Sequence, residues 1–489
     1  MHTEYIKLII SSIIIIKILY YYEIRRINFI YIIFITNNGD NMKELIKSVK
    51  FNIYLLIAYL TVMLLISPLI PGVVWFNLGD FTLTTVNYYH VLMIPLAFLL
   101  MFMVSVIMDL GEKLKRIFIY SNIPLLIVNI LGLILYYPSS TQVADYVLQG
   151  LRDVWMILLA IILLIFIIIY PIKNAEKFKK IWGAYFLLLF TIASATIAGF
   201  MGMIYEYGNL YGFSSIPFFN SMVNSWGGLQ TFLGNLLTSH SHEMLPAVMG
   251  GIVALFALYI KYENLDNLKR NFVNVSFLIS LIGTVSMTVL YIISSFGTYS
   301  IPTIFTSGPS GMNGLALDDS QTGLIGIGAM LALIGIWYII IKDNKKRLYN
   351  LLEISTWIFA VFVLIGFGYG IEFNESFFGF GNNGTAPSGG PGYLFDQAYM
   401  NAHLVYAFFL MPFLAGIILA ISFLIENENK MSKWNAYIYF AGLIFGADGA
   451  LMYVLTLQPY VEEFGMILII LALIFSVIMF TLKFFKNDS

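Results

Sequence analysis

The chain has no cysteine among its 489 residues. Disulfides, thiolate metal sites and cysteine-held iron–sulfur clusters are therefore excluded. Any metal must be held by His, Met, Tyr or carboxylate. Charge is also scarce: Asp, Glu, Lys and Arg make up 11% of the residues, where a soluble domain carries roughly 25%. Histidine occurs five times, so each one bears inspection. Nothing points to a nucleic-acid partner.

What the chain has in abundance is apolar surface, with 60% of its residues hydrophobic. Long apolar runs recur near the roughly 20 residues that a helix needs to cross the hydrocarbon core, and none alternates as barrel strands do. The expected fold class is all-α: a polytopic transmembrane bundle of about twelve helices with lipid as its solvent. Spans are expected near 52–71, 89–109, 117–137, 153–172, 182–204, 243–261, 271–295, 321–342, 350–370, 401–425, 434–457 and 465–483. Residues 1–41 are set apart as an N-terminal extension. Met42 opens Lys43-Glu44-Leu45-Ile46-Lys47, a typical charged amino end, and Gly39-Asp40 would be encoded by a purine-rich ribosome-binding sequence. The reading taken is a start placed too early, with an extra anchor or signal segment as the alternative. The membrane domain is then 42–489.

Short loops alternate in charge. Lys113, Lys115, Arg116, Lys179, Lys180, Lys269, Arg270, Lys345, Lys346, Arg347, Lys430 and Lys433 fall on one side, which the positive-inside rule makes cytoplasmic. Both termini land there, and the expected location is the cell membrane. The outer side carries one basic residue, Arg152, against acids such as Asp80, Asp318, Asp319, Glu372, Glu375, Glu462 and Glu463. Its loops are long, over 205–242, 296–320 and 371–400, and loops of that length tend to be functional. Pro68, Pro71, Pro95, Pro246 and Pro412 lie in or beside spans and imply kinks.

Apart from His2, the histidines are His90, His240, His242 and His403. All four are expected in the first turn, or just before it, of a helix running from outside to inside, on the second, sixth and tenth spans. Recurrence on every fourth helix, about 150 to 160 residues apart, suggests three four-helix units in a quasi-threefold ring. A single interfacial histidine with a water or backbone partner would be unremarked. Four at one depth suggest ligation, because ionisable groups in membrane helices are functional by default and neutral imidazole ligates haem iron and copper. If both are helical, His240 and His242 point roughly 200° apart. They then face two metals, or one serves from the preceding loop. Glu243 beside them is a candidate metal ligand or proton carrier, or an acid favoured by the helix dipole.

Arg152 is a candidate partner for haem propionates, since guanidinium matches carboxylate geometry; the plainer reading is an ion pair with Asp153 or Asp145. Asp109 adjoins a cytoplasmic loop and reads as solvated. Asp448, in Gly446-Ala447-Asp448-Gly449, reads as intramembrane and a possible proton relay.

Twelve helices, termini inside, four-helix units and histidines on spans two, six and ten resemble subunit I of the haem-copper oxidase superfamily, which includes nitric oxide reductases. The resemblance covers Met42 to the end as topology. In sequence, Tyr89-His90-Val91-Leu92-Met93-Ile94-Pro95 resembles the second-helix segment with a low-spin haem ligand. Ala402-His403-Leu404-Val405-Tyr406 resembles the tenth-helix segment, and Ser239-His240-Ser241-His242 stands where the family places a copper ligand. The resemblance implies one or two b-type haems, with His90 and His403 ligating one and His240 or His242 a second haem or metal. It also implies respiratory electron transfer, with reduction of oxygen or nitric oxide. Departures are specific: no histidine pair lies between Asn271 and Ser295, Val405 stands where a second histidine would, and Met244 and Pro246 stand where a tyrosine would follow four residues on. These departures argue against a standard haem-copper centre and for a divergent member that keeps haem for electron transfer.

Expected cofactors are thus haem b, with copper or non-haem iron open. Expected partners are the lipid bilayer, a small electron-donor protein or a quinol, and other respiratory subunits. Two competing classes are a secondary transporter, which twelve helices with Pro and Gly breaks also suit, and a non-catalytic subunit of a respiratory complex.

Overall fold

The structure, a computed structural model, describes residues 44–66, 83–136, 142–296, 313–343, 345–359, 413–456, 458 and 460–485. The described chain is helical and contains no strand, as lipid requires of a backbone that must satisfy its own polar groups. In order the helices are α1 (Val49–Ile66), α2 (Leu83–Ile107), α3 (Glu112–Tyr136), α4 (Gln142–Lys173), α5 (Ala175–Tyr211), α6 (Pro217–Ser225), α7 (Leu229–Tyr259), α8 (Asn267–Phe296), α9 (Asn313–Lys342), α10 (347–359), α11 (Ala415–Leu424), α12 (Lys430–Thr456) and α13 (Tyr460–Phe485). Seven of them, α2, α3, α4, α5, α8, α9 and α13, are long and apolar enough to cross a membrane. This is a helical membrane protein.

The chain divides into two compact units, Met1–Asn52 and Ile53–Ser489. In the first, Asn52 Nδ2 donates to the carbonyls of Ile46 (2.6 Å) and Ser48 (2.9 Å) and ties down the start of α1. In the second, α7 is the hub: it packs on α2, α5, α8, α9 and α11, while α4 packs on α2, α3 and α5. Glycines bring neighbouring helices close, as small residues do where lipid offers no hydrophobic drive to association. A Cβ on Gly328 would run into the backbone and hydroxyl of Ser280, and one on Gly465 into the backbone at Gly446. The basic ends of α5 and α8 are pinned by Asn274. Its Oδ1 accepts from Gly183 N (2.9 Å) and Tyr262 Oη (2.8 Å), and its Nδ2 donates to Lys180 O (3.0 Å).

The helices overrun the expected spans at the end away from the basic loops. The loop expected over 205–242 is mostly helix: α5 continues to Tyr211, α6 follows, and α7 starts at Leu229. Its neutral polar residues conceal an apolar face, on which Phe232, Leu233 and Leu236 bury against Met201, Phe213 and Met222. The loop over 296–320 likewise turns helical at Asn313. His90, His240 and His242 are accordingly not in first turns. His90 falls about two turns into α2 and His240 about three turns into α7. Pro95 and Pro246 lie within α2 and α7, whereas Pro68, Pro71, Pro412 and the loop over 371–400 fall outside the described residues. The backbone break in α5 is at Ile181 (φ −117°, ψ 16°), where no proline stands. Asp109, in the turn after α2, meets Lys115 Nζ at 2.7 Å, and Asp448 is exposed on α12.

Candidate functional site

Two histidines 150 positions apart in sequence meet between α2 and α7. The ring centres of His90 and His240 are 6.2 Å apart with planes inclined by 32°. Two imidazoles ligating one metal from opposite sides at about 2 Å each would put their ring centres about 6 Å apart. His240 is also held as a ligand would be. Its Nδ1 lies 2.7 Å from the carbonyl oxygen of Ala198 on α5, and a carbonyl only accepts, so Nδ1 carries the proton. That fixes the tautomer with the lone pair on Nε2, the usual outer support of a ligating imidazole.

The ring fits because α5 presents small residues to it. A Cβ on Gly202 would stand 2.8 Å from His240 Cε1 and Nδ1. Gly202 continues the run Ala193-Ser194-Ala195-Thr196-Ile197-Ala198-Gly199. Ala195, Gly199 and Gly202 line one wall of a cavity of about 240 Å³ whose other walls come from α2, α4 and α7. His90, Gln149, Arg152, Asp153, Glu206 and His240 give it a polar end. Leu100, Val104, Leu188 and Leu255 line the remainder.

Arg152 is 3% exposed. Its Nε donates to Asp153 Oδ1 (2.9 Å) and its Nη1 to Asn129 Oδ1 (3.1 Å). Asn129 in turn donates through Nδ2 to Tyr59 Oη (2.6 Å) and to the carbonyl of Val91 (3.0 Å). The guanidinium is thus anchored through α3 to the residue next to His90. The ion pair with Asp153 is present, and the same side chain borders the cavity.

Glu243 is fully buried in α7, far from the helix start, so the helix-dipole role does not apply to it. Its Oε1 accepts from Ser194 Oγ at 3.2 Å, and Ser194 also meets Thr288 at 2.7 Å. Among the described residues its Oε2 has no hydrogen-bond partner. Glu243 is not among the cavity residues. His242 is on α7, but its side chain, like the whole of His403, falls outside the described residues. Among the described residues no three His, Asp or Glu side chains come together in a way that would hold a metal ion. A pair of imidazoles suits a metal whose remaining ligands come from a cofactor, as the four nitrogens of haem do.

The supporting residues Asn129, Ala198 and Gly202 were not singled out in the sequence. A lone Asn in the apolar run of α3 and a small-residue run in α5 were the available signals. Comparison of the chain with protein-family models, with curated proteins and with solved structures finds no match.

Proposed function

We propose that this is a membrane-embedded b-type haem protein of oxidase-like architecture acting in respiratory electron transfer, with His90 and His240 as the axial pair of one haem. The observation that carries the reading is the 6.2 Å separation of the two rings, supported by the tautomer lock at Ala198. Haem iron held by two imidazoles supplies one-electron transfer. The small residues of α5 would leave room for the macrocycle, and Arg152 at the polar end would be its charge partner for carboxylate groups. The architecture proposed is a twelve-helix bundle of three four-helix units resembling subunit I of the haem-copper oxidases. It sits in the cell membrane with its basic end and both termini in the cytoplasm. A small protein or a quinol delivers electrons near the outer end. Among the described residues nothing favours a second metal at His242 and Glu243, so the proposal is for the haem.

Absorption spectra of the purified protein, oxidised and reduced, test this. A bis-histidine b-type spectrum is expected, lost in His90→Ala and in His240→Ala. No Soret band after expression with ample haem would sink the proposal. A spectrum lost in His403→Ala and kept in His240→Ala would move the axial partner to His403.

A further inference from the structure

The basic end of the bundle holds a second polar cluster, remote in its contacts from the histidines. Lys346 Nζ donates to Tyr259 Oη (2.6 Å) and to Ser422 O (3.1 Å). Tyr259 Oη donates to Ser422 O (2.8 Å). Ser422 Oγ donates to Asn350 Oδ1 (3.3 Å), and Asn350 Nδ2 to Asp343 Oδ2 (3.0 Å). The chain of contacts runs from charged residues at the mouth to Asn350, which is 1% exposed. One turn further along the same side of α10 is Glu353.

Glu353 is 0% exposed and lies on α10, near the start of the span expected over 350–370. Its Oε1 accepts from Trp357 Nε1 at 3.1 Å, and its Oε2 has no hydrogen-bond partner among the described residues. An unpaired charge buried in this way is very costly, so the neutral acid is the form compatible with these surroundings. The titratable and charged groups nearest along its own element are Arg347 and Tyr349 on α10 and Lys345 and Lys346 before it; those of neighbouring elements in the cluster are Asp343 after α9, Tyr259 on α7, Glu428 before α12 and Tyr439 on α12. None of them forms an ion pair or hydrogen bond with the Glu353 carboxyl among the described residues. Packing alone does not call for an acid here: a glutamine would accept the Trp357 N–H equally well.

We infer that Glu353 is a proton-binding site inside the membrane, reached from the basic end of the bundle through Asp343, Asn350 and Ser422. Intramembrane carboxyls of this kind mark proton relays, and the polar chain leading to it supplies groups that water or hydroxyl can bridge. The site does not rest on the haem reading.

The test is infrared spectroscopy of the full-length protein in lipid vesicles, which needs no haem and so fails or succeeds independently of the proposed function. The wild type is expected to show the carbonyl band of a protonated carboxylic acid that Glu353→Gln lacks. In heavy water that band is expected to shift, and Asn350→Leu is expected to slow the shift. Thr456→Ala, at the far end of α12, where the hydroxyl donates to the carbonyl of Met452, leaves the rate unchanged. Should Asn350→Leu lose helix content, Ser422→Ala makes the smaller cut and must slow the shift as well. Spectra of wild type and Glu353→Gln that coincide in this region overturn the inference. So does a band that shifts at the wild-type rate in the folded Asn350 or Ser422 variant.

Discussion

The histidine pocket and the basic-end cluster are both buried polar regions, and they are built in opposite ways. Around His90 and His240, polar groups are steadied from behind, by Ala198 for His240 and by Asn129 for Arg152, and the space in front of them is a cavity. At the basic end, Lys346, Tyr259, Ser422, Asn350 and Asp343 are turned on one another. The first arrangement is preorganised for something that enters. The second clamps α7, α10 and α11 together, and Glu353 lies just beyond it. Cutting the pocket should therefore remove a ligand and spare the fold, whereas cutting the clamp should do the reverse.

The largest effect is expected from His240→Ala. The reduced-minus-oxidised haem spectrum disappears while far-ultraviolet circular dichroism retains the wild-type helix content. A variant that lost helix together with haem would show that the pocket is itself a structural clamp and would break the contrast. Next comes Tyr259→Phe, which removes the hydroxyl that accepts from the Lys346 ammonium and donates to Ser422. A hydrogen bond to a charged group contributes roughly 1.5–3 kcal/mol, so a loss of about 2 kcal/mol in unfolding free energy is expected in detergent titration. The haem spectrum per folded molecule stays unchanged.

A smaller effect is expected from Gly202→Ala. The added Cβ would stand 2.8 Å from two atoms of the His240 ring, so the ring must shift and its bond to Ala198 must lengthen. Changes to the outer support of a metal-bound histidine typically reduce affinity 10–100-fold. About a tenfold weakening, at the low end of that range, is expected in haem titration of the apoprotein. Unchanged affinity would mean that the tautomer lock is incidental and would weaken the case for His240 as the ligand.

The helical membrane character was legible in the sequence, because lipid imposes length and apolarity on every crossing helix. The helix ends away from the basic loops were not. Over 205–242 the residues, Glu206 apart, are uncharged and polar enough to read as loop, and only the packing of Phe232, Leu233 and Leu236 on Phe213 and Met222 shows why that stretch is helical. The pairing of His90 with His240 was not legible either. Periodicity along a helix gives a direction, but nothing local says which distant helix that direction meets. Glu353 stands in the sequence as a lone acid in an apolar run close to Lys345, Lys346 and Arg347, and only its burial separates it from them.

The smallest expected effect concerns pH at the clamp. Glu428, in the connection between α11 and α12, accepts from the amide of Tyr349 at 3.1 Å and from that of Leu348. Partial burial pushes its carboxyl above the ordinary value. A carboxyl raised in the folded state favours folding most when protonated, below the unfolded value of about 4.3. That contribution is lost as pH rises through the folded value. Glu428→Gln keeps an oxygen acceptor for both amides and has nothing to titrate. Relative to this variant, the wild type should become less stable as pH rises from about 4 to 7, and the two should converge at the acid end. Glu428 is only partly buried, so solvent screening keeps the difference well under about 1 kcal/mol. Paired melting curves across that pH range measure it. A wild type that instead gained stability with rising pH would show that the two amides outweigh burial at Glu428. The clamp would then hold a charge-favouring site at its edge as well as its neutral hydrogen bonds.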